Sequence, residues 1–136
     1  MSTSPVKPGS DLASRFPISV VIPCHNAGRE LKLCLEALFR NDVTNLEILV
    51  VDDGSSDSTA QVVEDFAQGG NESPAIQYLA LGKQSGPAVA RNQGVRQASH
   101  PFVLFLDADI VLTRQCIELI RESLDLYSHR SDIIGV

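Results

Sequence analysis

An α/β fold, with a mostly parallel sheet flanked by helices, is the class this chain predicts, and three observations carry it. Short apolar runs (ISVVI, LEILVV, IQYLAL and FVLFL) alternate with amphipathic stretches from Phe16 onward. Polar and acidic residues follow each run, in PCHN, DDGSSD, LGKQSGP and DAD. A length of 136 residues, 43% hydrophobic and 21% charged, fits one globular domain with a real core.

The first segment, MSTSPVKPGSDLASR (1–15), holds Ser, Pro and Gly without an apolar stretch. It is neither a signal peptide nor a membrane anchor and is expected to be a mobile tail ahead of a domain spanning 16–136. The first strand is expected at 18–22, followed by a helix through RELKLCLEALF in which Leu31, Leu35 and Leu38 repeat at helical spacing. The second strand is 46–51, and a right-handed crossover joins the two. A second helix fits DSTAQVVEDFA, capped by Ser56 or Asp57 and burying Val62, Val63 and Phe66. GGNESP (69–74) is a loop, and IQYLAL is the third strand. The next helix lies in SGPAVARNQGVRQA, with Pro87 in its first turn and Ala88, Ala90 and Gly94 keeping one side small. FVLFL is the fourth strand, a last helix runs from Thr113 to about Ser128, and SDIIGV reads as the beginning of a fifth strand.

Composition excludes several functions. A formal charge of -6 argues against a nucleic-acid surface, so an anionic ligand must be held locally by a metal or backbone amides. Cys24, Cys34 and Cys116 form no Cys-x-x-Cys pair and suit a reducing, cytoplasmic setting as small buried hydrophobes. His25, His100 and His129 show no metal-ligand spacing. No apolar run reaches the roughly 18 residues needed to span a bilayer.

Ligands of open parallel sheets bind beyond the carboxyl ends of the strands. At the fourth of these ends, FVLFLDADIVL delivers two carboxylates one residue apart. With a side-chain period of two, Asp107 and Asp109 point to one side and Ala108 to the other. Two neighbouring anions favour a cation between them, and hard oxygen ligands suit Mg²⁺ or Mn²⁺ carrying a phosphate group. An Asp-x-Asp after a strand is otherwise only a turn. Asp52 and Asp53 before Gly54 form a strand-to-helix turn, and an acid there can also accept hydrogen bonds from a base N–H or a ribose hydroxyl.

Taken in order, VVIPCHNAGRELKLCLEAL, EILVVDDGSSDST, GPAVARNQGV and FVLFLDADIVL resemble the family 2 glycosyltransferases with the GT-A nucleotide-sugar-binding fold. The resemblance spans about residues 17–136. It implies that Pro23 and its neighbours, including Asn26, line a nucleoside pocket and that Asp53, with Asp52 beside it, meets the base. It further implies that Ser85, Gly86, Arg91 and Asn92 border the nucleotide and sugar, that Asp107 reaches ribose or metal, and that Asp109 binds the metal. Lys83 is a possible extra phosphate contact, and Arg91 is equally readable as a helix cation paired to a carboxylate. The expected partners are a nucleotide-sugar donor, UDP being the family's usual nucleotide, and a glycan, lipid or other hydroxyl acceptor. The family is inverting. Its general base normally follows the donor-binding half, so the base is expected beyond Val136, as is any membrane attachment. Glu118, Glu122 and Asp125 read as solvent-facing charges of the last helix, and Asp132 lies in no base motif.

Three other readings compete. A haloacid-dehalogenase-like phosphatase would also use Asp107 and Asp109, but on its first strand rather than its fourth. A dinucleotide-binding domain needs a G-x-G-x-x-G that PCHNAG lacks. A non-catalytic nucleotide-sugar-binding module would bind with metal and not turn over.

Overall fold

In the computed structural model, which describes residues 8–69 and 74–128, a four-stranded parallel sheet has the order β3-β2-β1-β4. The strands are β1 (Ile18–Cys24), β2 (Leu46–Asp52), β3 (Ala75–Ala80) and β4 (Phe102–Phe105). The helices are α1 (Pro8–Arg15), α2 (Gly28–Phe39), α3 (Thr59–Ala67), α4 (Pro87–Gln97) and α5 (Cys116–Ser128).

The central pair β1 and β2 is buried almost throughout, because helices cover both of its faces. Ile18, Val20 and Ile22 face the side that holds Leu31, Leu35 and Leu38 of α2, Val63 of α3 and Ile117 of α5. Each such leucine contributes about 2 kcal/mol by leaving water. Phe39 and Phe66 meet edge to face at 5.1 Å and lock α2 to α3. Val21, Leu49 and Val51 face the other side, against Ala90 of α4. Gly94 is what lets α4 lie so close: a Cβ there would fall 2.3 Å from Val21 Cγ1. Of the small side read from the sequence, Ala90 and Gly94 are buried, while Ala88 is exposed.

Residues 8–15 are not the tail that composition suggests. Helix α1 docks on α5, with Ala13 fully buried and Arg15 paired to Asp125 at 2.6 Å. Phe16 packs edge to face on Phe102 at 5.5 Å. Asn45 Nδ2 donates to the Ala13 carbonyl (3.1 Å), and the buried Arg121 guanidinium donates to the carbonyls of Phe16 (2.9 Å) and Thr44 (2.8 Å). Burial lowers the Arg121 pKa, with Asp42 pulling the other way. Pro and Gly read locally as breakers, but tertiary contacts decide here, and Pro is at home in a first helical turn. Residues 1–7 of the expected tail and the expected fifth strand SDIIGV lie outside the described residues.

Candidate functional site

The carboxyl ends of β1, β2 and β4 open into a cavity of about 560 Å³. Its walls come from the β1–α2 turn, the first turn of α2, Asp53 after β2, the start of α4, and the loop after β4. Of the residues picked from sequence, Pro23, Asn26, Asp53, Arg91, Asp107 and Asp109 line it. Asp52, Gly86, Lys83, Ser85 and Asn92 do not.

After β4, Leu106 is buried, Asp107 exposed, Ala108 buried and Asp109 exposed, and a turn rather than a continuing strand brings Asp107, Ala108 and Asp109 to the cavity. Backbone bonds hold the turn, from Leu106 N to Val21 O (3.0 Å) and from Ile110 N to Asp107 O (3.0 Å). Cys34 on α2 adds a weak thiol contact to the Asp107 carbonyl at 3.9 Å. Arg91 Nη2 stands 3.4 Å from Asp107 Oδ1. Arg91 is thus a helix cation paired to a carboxylate, and the carboxylate belongs to the Asp-x-Asp pair.

The DDGSSD turn divides its first two acids. Asp53 is buried, and its carboxylate accepts the backbone N–H groups of Ser85 (2.6 Å) and Gly86 (2.9 Å), tying the β3–α4 loop to β2. Gly54 permits this: its φ is +77°, and a Cβ would fall 2.7 Å from Gln84 N. Asp52 is turned away from the cavity, accepting Ser55 N–H at 2.9 Å and the Tyr78 hydroxyl. Burial and this carboxylate together raise the Tyr78 pKa, so the phenol stays a donor.

The β1–α2 turn is laced to the same segment. Asn26, at φ 47°, donates its N–H to Ser55 Oγ (2.8 Å) and accepts Ser56 N–H on Oδ1 (2.8 Å). His25 Nδ1 donates to the Asp53 carbonyl at 2.7 Å. The Asp57 carboxylate accepts Gly28 N–H (3.0 Å) and Thr59 N–H (3.1 Å). The Thr59 hydroxyl and Gly28 N–H lower its pKa. Ser58, not Ser56 or Asp57, is the N-cap of α3, without a side-chain cap bond. Asp57 acts one residue earlier as a clasp between the turns.

Cys24 and His25, the neighbours between Pro23 and Asn26, line the cavity as well, while Ala27, Glu30 and Gln84 are lining residues that the sequence reading did not name. Glu30 precedes Cys34 by one helical turn and so shares the face of α2 that touches the Asp-x-Asp loop, a contact that only the packed structure reveals. Glu118, Glu122 and Asp125 do not line the cavity, and Asp125 is held by Arg15. Asp132 lies outside the described residues.

The residues present fit a hard divalent cation. Asp107 and Asp109 offer carboxylate oxygens to one cavity, and among the described residues no cluster of three His, Cys, Asp or Glu could enclose an ion alone. Mg²⁺-type ions are commonly held by one or two carboxylates together with substrate phosphates.

Comparison with known proteins bears on the family and the fold. The sequence profile of glycosyl transferase family 2 matches residues 19–131. The uncharacterized glycosyltransferase YibD of Escherichia coli is 36% identical over 92 residues, 68% of this chain and 26% of that protein. A poly-beta-1,6-N-acetyl-D-glucosamine synthase of Staphylococcus epidermidis is 33% identical over 95 residues, 70% of this chain and 22% of that one. The chain therefore spans about a quarter of the length of these relatives. The crystal structure of S. aureus TarS 1-349 in complex with UDP-GlcNAc superposes with a TM-score of 0.75 at 29% identity, covering 83% of this chain and 32% of that one. A mannosyltransferase from Pyrobaculum calidifontis shares the fold, with a TM-score of 0.73 at 22% identity over 86% of this chain and 33% of that one. With the profile covering most of its length and the GT-A fold around the site, the chain belongs to glycosyl transferase family 2.

Proposed function

We propose that this chain is the donor-binding part of an inverting, metal-dependent glycosyltransferase that takes a sugar from a nucleoside diphosphate, most simply UDP, to an acceptor hydroxyl on a glycan, lipid or other molecule. The observation that carries it is the charge of the cavity: Glu30, Asp53, Asp107 and Asp109 face it against the single guanidinium of Arg91. A diphosphate entering alone would meet net repulsion, and a divalent cation on Asp107 and Asp109 reverses that balance. UDP is favoured because a structural neighbour of 29% identity was solved with UDP-GlcNAc.

In this reading Pro23 and Asn26 flank the nucleoside, and Asp53, oriented by the Ser85 and Gly86 amides, presents its carboxylate to the base. Asp52 and Gly86 act from behind the wall. Arg91 is placed to share its charge between Asp107 and a phosphate oxygen. A Mn²⁺ or Mg²⁺ ion held by Asp107 and Asp109 would supply Lewis-acid stabilisation of the leaving diphosphate. Pro87 and Ala90 form the α4 wall of that end of the site. The base that takes the acceptor's proton is assigned to the part of the relatives' length that this chain does not cover. A reducing, cytoplasmic setting is supported by the three free cysteines. No helix among the described residues is long and apolar enough to cross a membrane.

The test is UDP affinity in Mn²⁺ and in EDTA for the wild type and for Asp109→Ala. The wild type should bind at least tenfold more tightly with Mn²⁺, a difference of about 1.4 kcal/mol, and Asp109→Ala should erase the difference. A variant that keeps the full metal increment would remove Asp109 from the ion site.

A further inference from the structure

The nucleoside end of the cavity is shaped by a hydrogen-bond chain that begins outside it. Tyr78 stands on β3, an edge strand, with 37% of its surface exposed, yet its hydroxyl turns inward to Asp52 Oδ2. Asp52 is 3% exposed and uses its other oxygen, Oδ1, to accept Ser55 N–H at 2.9 Å. Ser55 Oγ in turn accepts Asn26 N–H at 2.8 Å, and Asn26 Oδ1 accepts Ser56 N–H at 2.8 Å. Asn26 itself lines the cavity and holds a left-handed backbone, φ 47°, a region that Asn enters more readily than most residues and that its bonds to Ser55 and Ser56 hold in place here.

We propose that Tyr78 is a positioning residue for the nucleotide, acting through Asp52 and Ser55 to hold Asn26 in its place at the cavity wall. This rests on the donor-binding reading above. Its physical basis is that a buried carboxylate with one oxygen left without its phenol rotates or recruits water, and the Ser55 amide loses a fixed acceptor. The turn after β1 then loses its fixed support on the Ser55 side, while the Ser56 bond to Asn26, the His25 and Cys24 bonds to Asp53 and the Asp57 clasp on Gly28 remain. An exposed tyrosine on a sheet edge would otherwise be a surface residue whose hydroxyl has no bearing on the site.

The experiment compares wild type, Tyr78→Phe, Asn26→Ala and the double variant, with Ser99→Ala as a control. Ser99 bonds Glu47 away from the cavity and reports loss of stability alone. Amide hydrogen exchange is read first, without ligand: Tyr78→Phe should speed exchange in peptides covering 24–30 and 53–58 and leave the control pattern elsewhere unchanged. Mn²⁺–UDP affinity is read second. Tyr78→Phe should weaken it roughly tenfold, the scale of one hydrogen bond to a charged group. In the Asn26→Ala background it should add almost nothing, because both changes break one chain. Unaltered exchange at 24–30 in Tyr78→Phe overturns the relay, and so does full additivity of the two substitutions. A wild type that binds no nucleotide overturns the donor reading instead, while the exchange data still decide whether Tyr78 governs Asn26. An affinity loss equal in Ser99→Ala and Tyr78→Phe would reduce Tyr78 to a structural residue.

Discussion

Replacing Gly94 by Ala puts the packing of α4 to a sharp test. An added Cβ would stand 2.3 Å from Val21 Cγ1, where real Cβ contacts essentially never fall below 3.0 Å, so helix and strand must part by about 0.7 Å or more. Val21 is fully buried in a central strand and has nowhere to retreat. Overpacking of this kind costs about 1–3 kcal/mol, and the better helix propensity of Ala returns at most about 1 kcal/mol. A net loss of about 1–2 kcal/mol corresponds to roughly 3–8 °C in Tm for a domain of this size. The displaced helix carries Pro87, Ala90 and Arg91 at the cavity, so Mn²⁺–UDP affinity should fall about tenfold as well. Thermal unfolding and calorimetric titration read the two effects on one sample. Val21→Ala alone costs about 2 kcal/mol by leaving a void, but in the Gly94→Ala background it removes the clashing methyls and should cost less by about 1 kcal/mol or more. Wild-type stability and affinity in Gly94→Ala would refute the reasoning, as would penalties of the two substitutions that simply add.

Two further outcomes follow from buried titratable groups. Glu47 accepts the Ser19 hydroxyl at 2.6 Å, the Ser99 N–H at 2.9 Å and the Ser99 hydroxyl at 3.0 Å. Burial raises its pKa, but the Ser19 and Ser99 bonds, with His100 nearby, outweigh that and lower it below the ordinary value. The folded state therefore binds fewer protons than the unfolded one across the acid window. This contribution is complete at neutral pH, begins to fade as pH drops to about 4.3, and is lost once pH falls through the folded pKa. Glu47→Gln should lower stability at pH 7 and flatten the acid limb in urea titrations, whereas an unchanged slope would dismiss the clasp. Among the thiols, burial first and neighbouring carboxylates second push Cys24 to about 12, and burial with Asp109 pushes Cys34 to about 12. In native protein at pH 8, iodoacetamide should therefore label the half-buried Cys116 first, and peptide mass spectrometry showing Cys24 labelled equally fast would contradict that burial.

What was legible in the sequence was what local pattern controls. The apolar runs fixed the four strands to within two residues, and Leu31, Leu35 and Leu38 named the buried face of α2. Asp107 and Asp109 reach one cavity as expected, but through a turn beyond the end of β4, where Ala108 lines the cavity too, rather than by strand alternation. Helix α1 was not legible, because it depends on Asp125, Arg121 and Asn45, partners 32 to 110 positions away. The different fates of Asp52 and Asp53 were hidden for the same reason: Tyr78 claims one, and the Ser85 and Gly86 amides claim the other. Glu30 and Gln84 reach the cavity through the docking of α2 and of the β3–α4 loop, which no local spacing encodes.

The most direct test of the central claim is calorimetric titration of this chain with UDP and a panel of other nucleoside diphosphates, in Mn²⁺ and then in EDTA. Tight binding of one nucleotide, lost in EDTA, is the predicted result, since four cavity carboxylates facing one arginine leave a bare diphosphate no home. Equal affinity with and without metal would contradict the assignment of Asp107 and Asp109, and the absence of binding by every nucleotide would contradict the donor site itself.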